Sequence, residues 1–100
     1  MLSNEMIAEL EGKGFKRWTK NGMDRLYINA AALGLDCEYH NTGSIRRATF
    51  NGSLISNCEA RRMKGSKTYI NVANGTVVSD NDTLRAAAAE LMGAGKIKVE

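Results

Sequence analysis

Lys16, Trp18, Lys20, Arg25, Tyr27 and Asn29 bring together cations that suit phosphates, flat rings that suit stacking and an amide that suits hydrogen bonding. These are the parts of a platform for single-stranded nucleic acid, where a stacked base contributes ~1–3 kcal/mol. Their spacing matters as much as their types. Asn21-Gly22 lies between two β-prone runs, and Asn-Gly favours a two-residue type I′ turn because both residues tolerate positive φ. Such a turn sets Lys16 opposite Tyr27, Trp18 opposite Arg25 and Lys20 opposite Met23, all on one face. Phe15, Leu26, Ile28 and Ala30 fall on the other. One face therefore reads as core, and the other as basic and aromatic. Two outcomes are open for the second face. A helix covers it and the rings are packing, or it is free and the rings bind.

A second basic group is Arg46, Arg47, Arg61, Arg62, Lys64 and Lys67. Arginines suit bidentate contacts to phosphate or carboxylate. Each also has a structural use: Arg61, Arg62 and Lys64 fit the last turn of a helix, where cations favour the macrodipole, and Arg47 can pair with Glu38. Arg25-Leu-Tyr-Ile-Asn-Ala and Lys67-Thr-Tyr-Ile-Asn-Val share a base, a tyrosine, an isoleucine and an asparagine in order. The match is too short to establish a repeat, but it puts base, Tyr and Asn on one side of each strand.

Catalytic chemistry has little to build on. His40 alternates with Asp36 and Glu38, which reads as a surface strand face; acid–base work also needs a pocket. No nucleophile elbow or phosphate-cradling glycine loop is present. Cys37 and Cys58 match no metal-ligand spacing and are expected as free, buried thiols. The expectation is a non-enzyme without cofactor or metal.

These residues sit in a chain of 100, with 43% hydrophobic and 25% charged content, enough for one domain with its own core. The net charge of +3 permits nucleic-acid binding without requiring it. No run is long enough to span a membrane and the N-terminus lacks signal-peptide character, so the cytosol is the expected compartment. There is no proline; glycine and asparagine make the turns, with further Asn-Gly pairs at 51–52 and 74–75.

The elements that must position the site follow. Ser3 caps a helix over 4–11 with Met6, Ile7 and Leu10 on one stripe. After the hairpin, a short turn at 30–33 stopped by Gly34 changes direction. Leu35, Cys37 and Tyr39 alternate with Asp36, Glu38 and His40, the period of a half-buried strand. A turn at Thr42-Gly43 pairs Leu35 with Phe50, Cys37 with Ala48 and Glu38 with Arg47. Asn51-Gly52 returns the chain to Leu54, and Ser56-Asn-Cys-Glu59 fits a capping box that opens a helix over 57–64. Residues 67–72 and 76–79 flank Asn74-Gly75 as another hairpin. A helix over 83–92 carries Leu84, Ala87, Ala88, Leu91 and Met92, and 96–100 reads as an edge strand. The expected fold is a single α+β domain: an antiparallel, meander-like sheet of hairpins with about three short helices.

Two resemblances bear on function. Ser56-Asn-Cys-Glu-Ala-Arg-Arg-Met-Lys-Gly-Ser-Lys-Thr-Tyr-Ile-Asn-Val, with Gly75-Thr-Val-Val, resembles part of an S4-type RNA-binding motif; Ser56, Ala60, Arg61 and Asn71 are the matching positions. That resemblance implies RNA contact by residues 56–78. Met23-Asp-Arg-Leu-Tyr-Ile-Asn-Ala, Ala48-Thr-Phe-Asn-Gly and Ser56-Asn-Cys-Glu-Ala-Arg-Arg-Met are similar to small phage and prophage proteins of Gram-positive bacteria. This similarity implies an anti-CRISPR-like role: a non-catalytic inhibitor of a host nucleoprotein complex, acting in the host cytosol. The alternatives from the residues themselves are a protein-interaction module or homodimer joined through the Trp18 face, or a sponge for a small nucleotide signal.

Overall fold

The computed structural model describes residues 1–93; the strand expected at 96–100 lies outside them. The chain runs α1 (Asn4–Gly12), β1 (Lys16–Lys20), β2 (Met23–Tyr27), β3 (Leu35–Tyr39), β4 (Ile45–Phe50), β5 (Ser53–Ile55), α2 (Asn57–Gly65), β6 (Thr68–Asn71), β7 (Val77–Ser79) and α3 (Asp82–Met92). This is the expected α+β class, with the strands shared between two antiparallel sheets. One has the order β1-β2-β6-β7 and the other β3-β4-β5.

The division follows from the turn after β2. Amides of Ala32, Leu33 and Gly34 bond back to carbonyls of residues 29–31, and Gly34 closes the turn at φ 120°. The chain therefore leaves the first sheet and builds β3, β4 and β5 as a separate meander. Helix α2 then brings it back. β6 pairs with β2 in the register Arg25–Asn71, Leu26–Ile70 and Tyr27–Tyr69. Two further bonds extend that ladder, Ile28 N–H to the Thr68 carbonyl and Val72 N–H to the Asp24 carbonyl.

The local signals act as their chemistry requires. Ser3, Ser56 and Asn81 cap the three helices by accepting from the amides of Met6, Glu59 and Leu84, each worth ~1 kcal/mol. In the β1–β2 hairpin Asn21 and Gly22 both take positive φ (52° and 76°), and the register is Lys16–Tyr27, Trp18–Arg25 and Lys20–Met23. In the second sheet Leu35–Phe50, Cys37–Ala48 and Glu38–Arg47 pair as expected.

The third Asn-Gly pair behaves differently. Only Gly75 takes positive φ, and Asn71 N–H bonds to the Thr76 carbonyl across a four-residue loop. Val72 is fully buried and hydrogen-bonded to both Asp24 and Leu2, which holds it on the β2 side and keeps it from pairing with β7.

One continuous core joins the layers. Leu26, Ile70 and Val72 line the inner side of the first sheet; Ile7 and Leu10 of α1 and Leu84, Ala88 and Met92 of α3 pack there. Leu35, Ala48, Ala60 and Met63 continue the core under the second sheet and α2. Each large buried aliphatic contributes ~1.5–3 kcal/mol. Thr68, buried among them, shares a hydrogen bond with Ser79 Oγ at 2.9 Å. Among the described residues, no helix is long and apolar enough to cross a membrane.

Candidate functional site

The period of two in β1, β2 and β6 turns Leu26, Ile70 and Val72 inward, so their neighbours must face out. Trp18, Arg25, Tyr27 and Tyr69 share that outer face, and Trp18 keeps 49% of its surface exposed. All three described helices put their apolar stripes elsewhere. Among the described residues, no helix covers this face; Trp18 is exposed, and Arg25, Tyr27 and Tyr69 are half-buried.

The register lays the face out in rows. Lys16, Tyr27 and Tyr69 form one row, and Trp18, Arg25 and Asn71 form the next. Side chains also meet along one diagonal, as long or aromatic groups can between strands. Trp18 meets Tyr27 edge to face, with centroids 5.5 Å apart and planes at 64°. The Arg25 guanidinium carbon lies 4.5 Å from the Tyr69 centroid, one strand further along the same diagonal direction. Tyr27 and Tyr69 stand 5.2 Å apart at 41°, which closes the set into a continuous line of rings. Lys20 Nζ adds a cation 5.6 Å from the Trp18 ring.

Arg25 is the fixed point of this face. Its Nη1 donates to Tyr27 Oη at 3.3 Å and its Nη2 approaches Met23 Sδ at 3.6 Å. The hydrogen bond to Tyr27 raises the guanidinium further above its already high value, so it stays charged. Its Nε is buried with no hydrogen-bond partner, alone among buried side-chain nitrogens and oxygens of the described residues. An N–H shut off from water without a partner is a desolvation cost, and the fold tolerates it on this face.

The electrostatics are one-sided. Strands β1, β2, β6 and β7 contain one acidic residue, Asp24. It faces the opposite side, held by Arg17 Nη2 at 2.5 Å and Thr19 Oγ1 at 3.1 Å. The Arg17 hydrogen bond holds the Asp24 carboxyl below the usual carboxylate range. Lys16, Lys20 and Arg25 are therefore left on the outer face with no carboxylate in its strand positions, whereas Lys67, just before β6, has the Asp80 carboxylate beside it, accepting from its backbone N–H at 3.1 Å. Trp18, Arg25, Tyr27, Tyr69, Lys20 and Lys67 line a concavity of about 380 Å³, within the size range of small-ligand clefts.

The second basic group is dispersed. Arg61 and Lys64 border a shared depression beside Tyr39. Arg62 lies 3.7 Å from Glu59 on the same helix. Arg47 stands opposite Glu38 on the second sheet, and Arg46 is exposed on that sheet too. Only Lys67 joins the aromatic face, because α2 ends two residues before it.

Tyr69 is the site residue that reading the hairpin alone misses. Its signal was the shared base-Tyr-Ile-Asn order of β2 and β6, which turn out to be paired neighbours. Cys37 is half-buried and Cys58 exposed, contrary to the expectation of two buried thiols. Cys58 lies on the solvent side of the first turn of α2, since Ala60 and Met63 form its inner stripe. Among the described residues, no group of three or more His, Cys, Asp or Glu could hold a metal ion. No protein-family model matches the chain, and neither the curated proteins nor the solved structures provide a match.

Proposed function

We propose that the outer face of the β1-β2-β6-β7 sheet binds single-stranded nucleic acid, free or as part of a nucleoprotein, and catalyses nothing. The observation that carries this reading is the line Trp18–Tyr27–Tyr69, uncovered by any helix among the described residues, crossed by Arg25 and flanked by Lys16, Lys20 and Lys67, with Asp24 turned away. Rings stack on bases of any sequence, and the cations follow the phosphates. The similarity to small phage proteins extends the proposal to a role: occupying the nucleic acid of a host defence complex and so blocking it.

Fluorescence anisotropy with labelled single-stranded oligonucleotides tests the reading. Binding should weaken steeply with salt, and the double variant Trp18→Ala, Arg25→Ala should abolish it. A complex indifferent to salt and to that variant would overturn the proposal. A self-association that is lost on Trp18→Ala would instead favour the homodimer reading, in which the same rings act as interface hot spots.

A further inference from the structure

We propose that the nucleic-acid surface continues past Lys67 onto a second stacking station made by Tyr39, Lys64 and Arg61, so that a longer single strand engages both sheets at once. This rests on the reading of the aromatic face given above.

Tyr39 is the first observation. Its strand position places it with buried Leu35 and half-buried Cys37, yet 47% of its surface is exposed. The pairing shifts by one residue between Glu38 and Tyr39, so that Tyr39 stands opposite Ile45 at the end of the sheet. Such irregularities re-aim a side chain at a sheet's rim.

The second observation is how the ring is held. Lys64 Nζ donates to Tyr39 Oη at 2.5 Å and lies 4.6 Å from the ring centroid. Those two distances put the ammonium beyond the hydroxyl end of the ring. The interaction is a charge-assisted hydrogen bond that fixes the ring while about half of the residue's surface stays exposed. The same bond raises the Lys64 pKa, so the cation persists beside the ring.

Nearness along the chain is the third observation. Lys67 borders the aromatic concavity, and its chain neighbours Ser66 and Lys64 border another depression, of about 350 Å³, together with Asn29 and Tyr39. Lys64 and Tyr39 also border a further one of about 410 Å³ that reaches Arg61. From Arg61 to Lys67 the chain covers at most about 13 Å, at helical rise and then extended reach. Among the described residues, Asp36 is the only carboxylate bordering these two depressions, against the two cations Lys64 and Arg61.

The test compares thymidylate oligomers of about 4 and about 12 nucleotides, lengths at the lower and upper part of single-strand site sizes. The double variant Tyr39→Ala, Lys64→Gln should lose about tenfold in affinity for the longer oligomer, one ring's worth of stacking, while its affinity for the shorter one stays at the wild-type level. Arg61→Gln, an exposed helix position whose replacement leaves the Tyr39 contacts intact, should reduce the salt slope for the longer oligomer by about 0.7. If both variants bind the longer oligomer as the wild type does, the second station is wrong and the aromatic face stands. If the wild type binds neither length, both proposals fall.

Discussion

Tyr27 and Tyr69 stand directly opposite each other on β2 and β6, with ring centroids 5.2 Å apart, although the whole second sheet and α2 lie between them in sequence. That one pairing turns a two-stranded aromatic patch into a platform three strands wide. It also places Tyr69 under the guanidinium of Arg25.

The rings should separate binding from folding. Tyr69→Ala removes a ring that touches both Tyr27 and Arg25, and should cost ~1–3 kcal/mol in affinity for single strands. Trp18→Ala should cost as much in affinity, and ~0.5–1.5 kcal/mol in stability for the lost edge contact with Tyr27. Anisotropy titration and urea denaturation of each variant measure the two quantities. Loss of stability with unchanged affinity would make the rings structural only.

The cations should report individually on phosphate contacts. Lys16→Gln, Lys20→Gln and Lys67→Gln should each lower the slope of log affinity against log salt by about 0.7 on single strands. Arg17→Gln is the control, because Arg17 points to the opposite face and holds Asp24; it should leave that slope unchanged.

Asp24 gives the fold an acid-sensitive clamp. Its carboxyl is held below the ordinary aspartate value, first by the Arg17 hydrogen bond. A lowered folded pKa contributes stability that is fully present above the unfolded value of about 3.9 and is lost as pH falls through the folded value. Asp24→Asn should therefore melt at a lower temperature than the wild type at pH 7. The gap should hold down to about pH 5 and close only below about pH 3.9. Thermal melts across that range check it; a gap that widened in acid would refute the clamp.

Gly34 marks where the two sheets part. Its φ is 120°, and a Cβ there would collide with Asn51 Oδ1, whose own residue donates its N–H to the Gly34 carbonyl at 3.0 Å. Gly34→Ala should destabilise by ~1–3 kcal/mol, in the manner of overpacking. Adding Asn51→Gly should restore part of this, since glycine accepts the φ of 49° at that position and removes the colliding amide. Chemical denaturation of the single and double variants decides it.

What was legible in the sequence is what short-range chemistry dictates. Asn21-Gly22 fixes a type I′ turn, and the turn with a period of two fixes every pair from Lys16–Tyr27 to Lys20–Met23. Ser3 and Ser56 cap their helices because a hydroxyl one residue before an amphipathic run has a free amide to meet. The pairing of β2 with β6 has no such local signature: nothing near Tyr27 says that its neighbour is Tyr69. The same limit hid the division into two sheets, which depends on which distant strand fills the edge of β2. At Asn74-Gly75 a correct local preference yields to burial of Val72. At Tyr39 a correct alternation yields to an irregularity in the ladder and to the end of the sheet.

Trp18 is the only tryptophan in the chain, so emission excited beyond the absorption of the three tyrosines reports on the proposed platform. Titration of an unlabelled single-stranded oligonucleotide at low salt should quench that emission to saturation. The midpoint should move to higher concentration with each salt increment, and duplex of the same sequence, whose bases are already stacked, should quench far less. Emission that stays constant throughout the titration at low salt would contradict the account.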